Sequence, residues 1–191
     1  MKAACCWWIV RHAPVPGAKG HINGWSDVDA DVSSVSPRSI LPAKPKAVVV
    51  SHLKRTSQTA MALGYAPTHI ETDLAEQNFG AWQGKSWDEI AGPEGRAFWS
   101  DFARNAPPGG ESFVQQIERT ARALERLSDE IGNGDIVAVL HGGTIRAALA
   151  HALSLDPLKA QAFEIENLGL TRLDRTTHGW RIGCVNERLF P

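Results

Sequence analysis

The sequence predicts an α/β fold with three layers, α/β/α, around a mostly parallel central sheet. Short apolar runs lie between turn signals, as is typical of strands buried on both faces of a parallel sheet. Helical patterns alternate with these runs, and such alternation produces a parallel sheet with right-handed crossovers. The chain has 191 residues, so we expect a single domain over residues 1–191.

The strands are predicted from the apolar runs, of which the run at 135–140 is the clearest. Four runs form the main part of the sheet, and two later runs are predicted as edge strands. In chain order they are residues 4–10, 46–51, 68–72 and 135–140, with the edge strands at 163–173 and 180–185.

Helices are predicted between the strands, at residues 56–63, 112–131 and 144–153. The helix at 112–131 is the best defined, because its apolar residues recur every three or four positions. These residues are Phe113, Ile117, Ala121, Leu124, Leu127 and Ile131. Gly64 suits the end of the first helix, and Gly132 suits the end of the second.

Two stretches lack a regular pattern. Residues 14–45 contain five prolines, and residues 80–110 are rich in Gly, Pro and Trp. Long irregular stretches in compact domains are usually lids or binding loops, so we expect a Trp-rich lid over about residues 76–112. Its aromatic residues either form a small core within the lid or stack on an aromatic substrate group. They are Trp82, Trp87, Phe98, Trp99 and Phe102.

Composition excludes several classes of protein. The formal net charge is −1, and no basic block supports nucleic-acid binding. Cys5, Cys6 and Cys184 lack the spacing of a disulfide framework or a zinc site and fit a reducing compartment. The first apolar run, residues 3–10, is too short to span a membrane. We therefore expect a cytoplasmic protein that binds neither nucleic acid nor membrane, with a homodimer as one candidate oligomeric state.

Chemically active side chains follow four predicted strand segments. They are Arg11 and His12 after the first, Ser51 and Arg55 after the second, Glu76 after the third, and His141 and Gly142 after the fourth. The carboxyl ends of parallel strands meet at one edge of the sheet, where ligands bind. The sequence therefore predicts a site with cations for an oxyanion, an imidazole nucleophile and a carboxyl group. Phosphoryl transfer needs this kind of positioning and charge stabilisation.

These residues form motifs that resemble those of the histidine phosphatase superfamily, also called the phosphoglycerate mutase-like family. Residues 9–13, Ile-Val-Arg-His-Ala, resemble its Arg-His-Gly motif. Residues 51–60 closely match Ser-x-Leu-x-Arg-x-x-Gln-Thr-Ala, and residues 76–84 resemble Glu-x-x-x-Gly-x-Trp-x-Gly. Residues 110–112 and 141–143 match Gly-Glu-Ser and the final His-Gly-Gly. The resemblance implies a phosphoglycerate mutase-like fold.

The resemblance also implies a role for each motif residue. His12 is implied as the nucleophile that becomes phosphohistidine, and Glu76 as the general acid and then the base. A neutral His12 beside a protonated His141 is expected, without a metal or cofactor. The implied phosphate and substrate contacts are Arg11, Arg55, His141, Ser51, Gly142 and Trp25.

The implied activity is metal-independent hydrolysis of a small-molecule phosphate ester. The chain is shorter than the mutases of the family and has the lid segment that its phosphohistidine phosphatases lack. It resembles the α-ribazole phosphatases most, which implies α-ribazole 5'-phosphate as substrate and a place in cobalamin biosynthesis. The alternative is a broad-specificity sugar or phosphoglycerate phosphatase or mutase.

Two further classes of protein are weighed against an enzyme of this family. A catalytically dead phospho-ligand-binding module is a distant alternative, because the nucleophile and the acid are both retained. A dinucleotide-binding domain needs Gly-x-Gly-x-x-Gly after the first strand, and residues 14–17 read Pro-Val-Pro-Gly instead.

The chain departs from the family pattern near the nucleophile. Ala13 replaces the usual glycine, and we expect its carbonyl still to orient the His12 ring. Residues 24–27 resemble the family's Gly-x-x-Asp loop, but the helix that usually follows is poorly indicated over residues 33–40. His52 is interpreted as a residue that reaches the pocket, a helix cap or a solvent-facing residue. The histidines without a motif are predicted on the surface and are His21, His69, His151 and His178.

Overall fold

The computed structural model describes residues 5–37 and 40–189. Its sheet has six strands in the order β3-β2-β4-β1-β5-β6. The strands are β1 Cys5–Arg11, β2 Ala47–Val50, β3 His69–Ile70, β4 Gly134–Leu140, β5 Gly169–Thr176 and β6 Gly179–Arg188. The first four strands are mutually parallel, and β5 and β6 add an antiparallel hairpin at one side. The prediction of a mostly parallel sheet is confirmed.

Helices cover both faces of this sheet. The helices are α1 Lys54–Ala62, α2 Pro93–Ser100, α3 Phe113–Ile131, α4 Gly142–Leu153 and α5 Pro157–Ala160. Of these, α1 packs on one face of the sheet, and α3 and α4 pack on the other. One buried cluster joins the sheet to α3 and α4, with Trp7, Leu124 and Ile145 among its members. A second cluster joins the opposite face to α1 and includes Val50 and Leu63. This arrangement confirms the three layers and places α3 and α4 together on one face.

The long helix α3 begins where its sequence predicts. The Ser112 side chain accepts a hydrogen bond from the Gln115 backbone N–H, and the Gln115 side chain accepts one from the Ser112 N–H. This reciprocal capping box satisfies two donors that a helix start leaves unpaired. It fixes the position at which the chain enters α3, directly after the segment predicted as a lid.

The largest difference from the predicted elements lies before β5. The predicted edge strand 163–173 begins only at Gly169. The preceding residues form a loop in which the carbonyls of Phe163 and Ile165 accept hydrogen bonds from Arg146 and Arg11. These carbonyls bind arginine side chains at the sheet edge and therefore do not join a strand ladder.

Two other segments differ from expectation in extent. The third strand is reduced to His69–Ile70. A helix of the family was poorly indicated over residues 33–40. Residues 33–37 and 40 do not form a helix, and residues 38–39 lie outside the described residues. A turn at residues 33–34 and Pro37 occupy this part instead.

The segment predicted as a lid, residues 76–112, folds on its own small core. Its two ends meet, because the Ala81 N–H donates to the Pro108 carbonyl and the Glu111 N–H donates to the Asn78 carbonyl. Trp82 and Phe98 are buried inside the segment, which confirms the small-core interpretation for these two rings. Trp99 remains 52% exposed. Within the described residues, no helix is long and apolar enough to cross a membrane.

Candidate active site

The ends of β1 and β4 bring two histidines together. These strands are neighbours, and their last residues, Arg11 and Leu140, lie opposite each other in the ladder. The next residues are therefore adjacent: the His12 N–H donates to the Leu140 carbonyl at 2.9 Å, and the His12 and His141 ring centres are 5.2 Å apart. The predicted convergence of these strand ends is confirmed.

The His12 ring is fixed in one tautomer. Its Nδ1 lies 2.7 Å from the Ala13 carbonyl, which can only accept, so Nδ1 carries the hydrogen. Nε2 is left as the nitrogen with the free electron pair. Burial, with the Arg55 charge as the next cause, lowers the pKa of His12 to about 3. His12 is therefore neutral and nucleophilic at neutral pH, and Ala13 supplies the orienting carbonyl that was expected of it.

Arg11 and Arg55 are held by backbone carbonyls. Arg11 Nη1 donates to the Ile165 carbonyl at 2.6 Å, and Arg55 donates to the carbonyls of Ser26 and Gly24 at 2.8 and 2.7 Å. Neither arginine forms an ion pair with a carboxylate among the residues the structure describes. Both guanidinium groups therefore keep their positive charge for an anion in the cavity, because an arginine is not deprotonated in proteins.

His141 lies near Arg11 and Arg55 and is fully buried. Its Nε2 is 2.8 Å from Ser51 Oγ, and its Nδ1 has no partner among the described atoms. Burial and the nearby Arg55 hold the pKa of His141 well below its ordinary value. This shift favours a neutral His141 and opposes the expectation of a protonated His141 beside a neutral His12.

The neutral His141 predicts how stability depends on pH. Below pH ~6.5 the His141 ring is protonated in the unfolded chain but stays neutral in the folded protein. The unfolded state therefore binds one more proton, and the free energy of unfolding falls as pH falls. At pH values well below ~6.5, we expect the free energy of unfolding of the wild type to fall by about 1.4 kcal/mol more per pH unit than that of His141→Gln. Urea unfolding at several pH values measures this slope. A slope for His141→Gln equal to that of the wild type would contradict a neutral His141.

Glu76 is held as a carboxylate beside the two arginines. It accepts hydrogen bonds from the backbone N–H groups of Gln77 and Gly143 at 3.0 and 3.2 Å, and from Gln116 Nε2 at 3.2 Å. Burial opposes ionisation, but these hydrogen bonds and the Arg55 charge outweigh it and lower the pKa of Glu76. A Cβ atom on Gly143 would lie 2.2 Å from Glu76 Oε1, so a larger residue there would displace the Glu76 carboxylate. The start of α4 therefore binds Glu76, and the phosphate contact expected of Gly142 stays a prediction.

Two residues that the sequence analysis missed fix the position of Glu76. Arg119 on α3 donates to the backbone carbonyls of Ala75 and Glu76, both at 2.8 Å, and forms a buried ion pair with Glu111 at 2.6 Å. Gln116, also on α3, is fully buried. Both are polar residues on the buried side of an amphipathic helix, and that pattern was the available signal.

Asn167 was also missed. Its side-chain amide donates to the His12 backbone carbonyl at 2.8 Å, and it lines the same cavity as His12. It belongs to the loop before β5, which was predicted as strand, so no pattern in the sequence placed it at the site.

Trp25 contacts the backbone of Glu76 and the ring of His52. The Trp25 indole N–H donates to the Glu76 backbone carbonyl, and the Trp25 ring contacts the exposed His52 ring edge-on at 5.1 Å. Trp25 is not among the residues that line the cavity around His12, so its contact with substrate stays a prediction. The solvent-facing interpretation of His52 is confirmed.

The cavity that contains His12 has a volume of about 450 Å³. Arg11, Arg55 and Glu76 line its inner part, and Lys19 and His21 line its outer part. His21 and His178 are exposed as predicted, whereas His69 and His151 are half-buried. The described residues contain no group of His, Cys, Asp and Glu side chains that could hold a metal ion. The inner part can bind a phosphoryl group between two cations, next to a nucleophilic nitrogen and a carboxylate.

Comparison with known proteins agrees with this geometry. The sequence profile described as "Histidine phosphatase superfamily (branch 1)" matches residues 7–188. The metal-independent phosphoserine phosphatase of Arabidopsis thaliana is 32% identical over 156 residues, which cover 73% of this chain and 65% of that protein. The chain spans less than two thirds of the length of the first curated relatives it matches.

Solved structures support the same fold. A mycobacterial glucosyl-3-phosphoglycerate phosphatase has 26% identity and a TM-score of 0.80, covering 96% of this chain and 99% of that one. The α-ribazole phosphatase of Shigella flexneri has 20% identity and a TM-score of 0.83, covering 97% and 98%. The predicted phosphoglycerate mutase-like fold is confirmed, and the resemblance to α-ribazole phosphatases is a resemblance of fold.

Proposed function

The chain belongs to the histidine phosphatase superfamily, and we propose that it is a phosphomonoesterase that acts through a phosphohistidine on a small-molecule phosphate ester. The observation that carries this proposal is the Nδ1-to-carbonyl hydrogen bond of His12, which directs the electron pair to Nε2. That nitrogen shares a cavity with Arg11 and Arg55, two cations without carboxylate partners among the described residues. A phosphoryl group bound by both arginines lies within reach of the nucleophile.

The first step transfers the phosphoryl group to the enzyme. His12 Nε2 forms a bond to phosphorus as the bond from phosphorus to the ester oxygen breaks. Arg11 and Arg55 stabilise the negative charge on the other phosphoryl oxygens. Protonated Glu76 gives its proton to the leaving oxygen, so the product departs as a neutral alcohol.

The second step returns the enzyme to its starting state. Glu76, now a carboxylate, takes a proton from a water molecule as the water oxygen attacks phosphorus. The bond from phosphorus to Nε2 breaks, and inorganic phosphate and a neutral His12 remain. One carboxyl group serves both proton transfers because the second step is the reverse of the first with water as the alcohol.

The substrate is proposed at the level of a small phosphate ester. The relatives whose names state a substrate act on phosphoserine, glucosyl-3-phosphoglycerate or α-ribazole phosphate. The α-ribazole 5'-phosphate hypothesis, with its place in cobalamin biosynthesis, therefore stands beside a sugar or phosphoglycerate phosphatase or mutase. Both hypotheses use the same inner cavity and differ in the leaving alcohol.

The proposed function is tested on the wild type with ³²P-labelled p-nitrophenyl phosphate in excess EDTA. We expect hydrolysis to continue in EDTA, and a rapid alkaline quench to trap label on the protein that acid then releases, as phosphohistidine requires. Hydrolysis without trapped label would contradict the covalent step. Phosphate binding without hydrolysis of any ester would favour the phospho-ligand-binding module.

A further inference from the structure

A second cavity borders Glu76, away from the loop that carries Lys19 and His21. It has a volume of about 410 Å³ and lies between the lid segment and the starts of α3 and α4. Glu76, Phe79 and Trp87 line both this cavity and the cavity that contains His12. The two cavities therefore meet at the carboxyl group that is proposed to protonate the leaving oxygen.

Aromatic rings form the lid-side wall of the second cavity. The Trp87 and Trp99 ring centres are 5.3 Å apart, and those of Trp99 and Phe102 are 5.8 Å apart. Trp99 leaves 52% of its surface exposed although Trp82 and Phe98 of the same segment are buried. The small core of the lid segment thus contains Trp82 and Phe98, with Trp87 and Phe102 packed partly against it, and Trp99 is the ring of the wall that it leaves outside.

Arg146 forms part of the opposite wall. It lies one turn after Gly143 on α4, is half-buried, and donates from Nε to the Phe163 carbonyl at 2.9 Å. No carboxylate of the described residues lies within ion-pair distance of it. The charge of Glu76 acts on Arg146, but the Glu76 oxygens already accept three hydrogen bonds from other groups. Arg146 therefore presents a positive charge to a cavity whose other lining residues are aromatic rings together with Glu76, two glutamines and Gly143.

We propose that this second cavity is the leaving-group site, and that Arg146 selects a leaving alcohol with an apolar body and an anionic group such as a carboxylate. The inference rests on the proposed function, because a general acid must lie within hydrogen-bond reach of the ester oxygen. The leaving group then lies against Glu76, with its apolar part on Trp87 and Trp99. A guanidinium with free N–H donors binds a carboxylate in a paired geometry.

A competing location for the leaving group is the outer part of the first cavity. The polar side chains there, Lys19 and His21, are exposed and lie on a loop. Exposed cations are screened by solvent and bind anions weakly, whereas Arg146 is half-buried and held by the Phe163 carbonyl. The second cavity is therefore the stronger site for a leaving group that carries an anion.

The test compares two substrates that differ only in the anion, 4-carboxyphenyl phosphate and phenyl phosphate. We expect Arg146→Gln to lower the ratio of their kcat/KM values by about 10-fold or more, which is the usual effect of losing a charged hydrogen-bond partner. Arg146→Lys, which keeps the charge, should restore part of the ratio. The control Arg96→Gln removes an exposed arginine of the lid segment and should leave the ratio as in the wild type.

Direct binding provides a readout that does not need turnover. Calorimetry should show that the wild type binds 4-hydroxybenzoate more tightly than phenol and that Arg146→Gln loses this preference. Equal losses for both esters in Arg146→Gln, with no change in binding preference, would overturn the selecting role of Arg146. A wild type that hydrolyses neither ester would instead overturn the proposed phosphatase function.

Discussion

Replacing His12 by asparagine should abolish turnover, with kcat for p-nitrophenyl phosphate reduced by at least about 10⁴-fold. The side-chain amide of asparagine can still donate to the Ala13 carbonyl, as His12 Nδ1 does now. It offers no nitrogen with an available electron pair, so no bond to phosphorus can form. Steady-state hydrolysis and trapping of labelled phosphoenzyme measure the two consequences.

Phosphate affinity separates loss of chemistry from loss of the pocket. Arg11 and Arg55 are anchored by the carbonyls of Ile165, Ser26 and Gly24, and His12 is no part of those hydrogen bonds. His12→Asn should therefore bind inorganic phosphate within a few-fold of wild type in calorimetry, as should the remote control His178→Asn. Turnover of His12→Asn within tenfold of wild type would rule out His12 as the nucleophile.

The sequence could predict which residues meet at the site because that convergence follows from local order. Arg11, His12 and His141 each follow an apolar strand, and the carboxyl ends of parallel strands share one edge of the sheet. The position of His141 beside His12 also depends on β4 lying next to β1, which the structure shows.

The sequence could not predict what holds these side chains in place. The carbonyls that anchor Arg11 and Arg146 come from Ile165 and Phe163, which lie 154 and 17 residues further along the chain. Any residue type can supply a backbone carbonyl, so no pattern in the sequence marks these two. Their loop was predicted as a strand because its apolar side chains resemble those of a strand.

The protonation states of His141 and Glu76 were equally hard to predict from the sequence, because they depend on burial and on neighbours far away in the chain. His141 is neutral since it is buried near Arg55 and contacts the uncharged Ser51. Glu76 is ionised since backbone N–H groups, Gln116 and Arg55 favour the carboxylate over the acid. A motif names the residue that carries the chemistry, but the fold decides its starting charge.

Replacing Glu76 by glutamine should give the second large effect, a fall in kcat of about 10²–10⁴-fold for esters of alkyl alcohols. Glutamine has a single acceptor oxygen, so it can keep the hydrogen bond from the Gln77 N–H but not also the one from the Gly143 N–H, which the second carboxylate oxygen accepts. It cannot give a proton to an alkoxide, which is a poor leaving group without one. Stopped assays with glycerol phosphate measure this loss, and the exposed lid residue Glu89→Gln serves as the matched control.

The leaving group distinguishes proton transfer from mere positioning by Glu76. p-Nitrophenolate departs readily without a proton, so Glu76→Gln should slow the first step much less for p-nitrophenyl phosphate than for glycerol phosphate. Equal losses for the two esters would indicate that the carboxylate only positions the substrate.

The starting charge of Glu76 adds a pH signature to the same variant. In the structure the pKa of Glu76 is lowered by its hydrogen bonds and by Arg55, so the group must gain a proton before it can act as an acid. A bound phosphate dianion supplies the reason, because a like charge placed beside a carboxylate raises its pKa. The kcat of the wild type should then fall on the alkaline side as Glu76 in the complex loses that proton, since kcat reports groups in the enzyme–substrate complex. Glutamine does not titrate, so this alkaline fall should be absent from Glu76→Gln, and its persistence would assign it to another group.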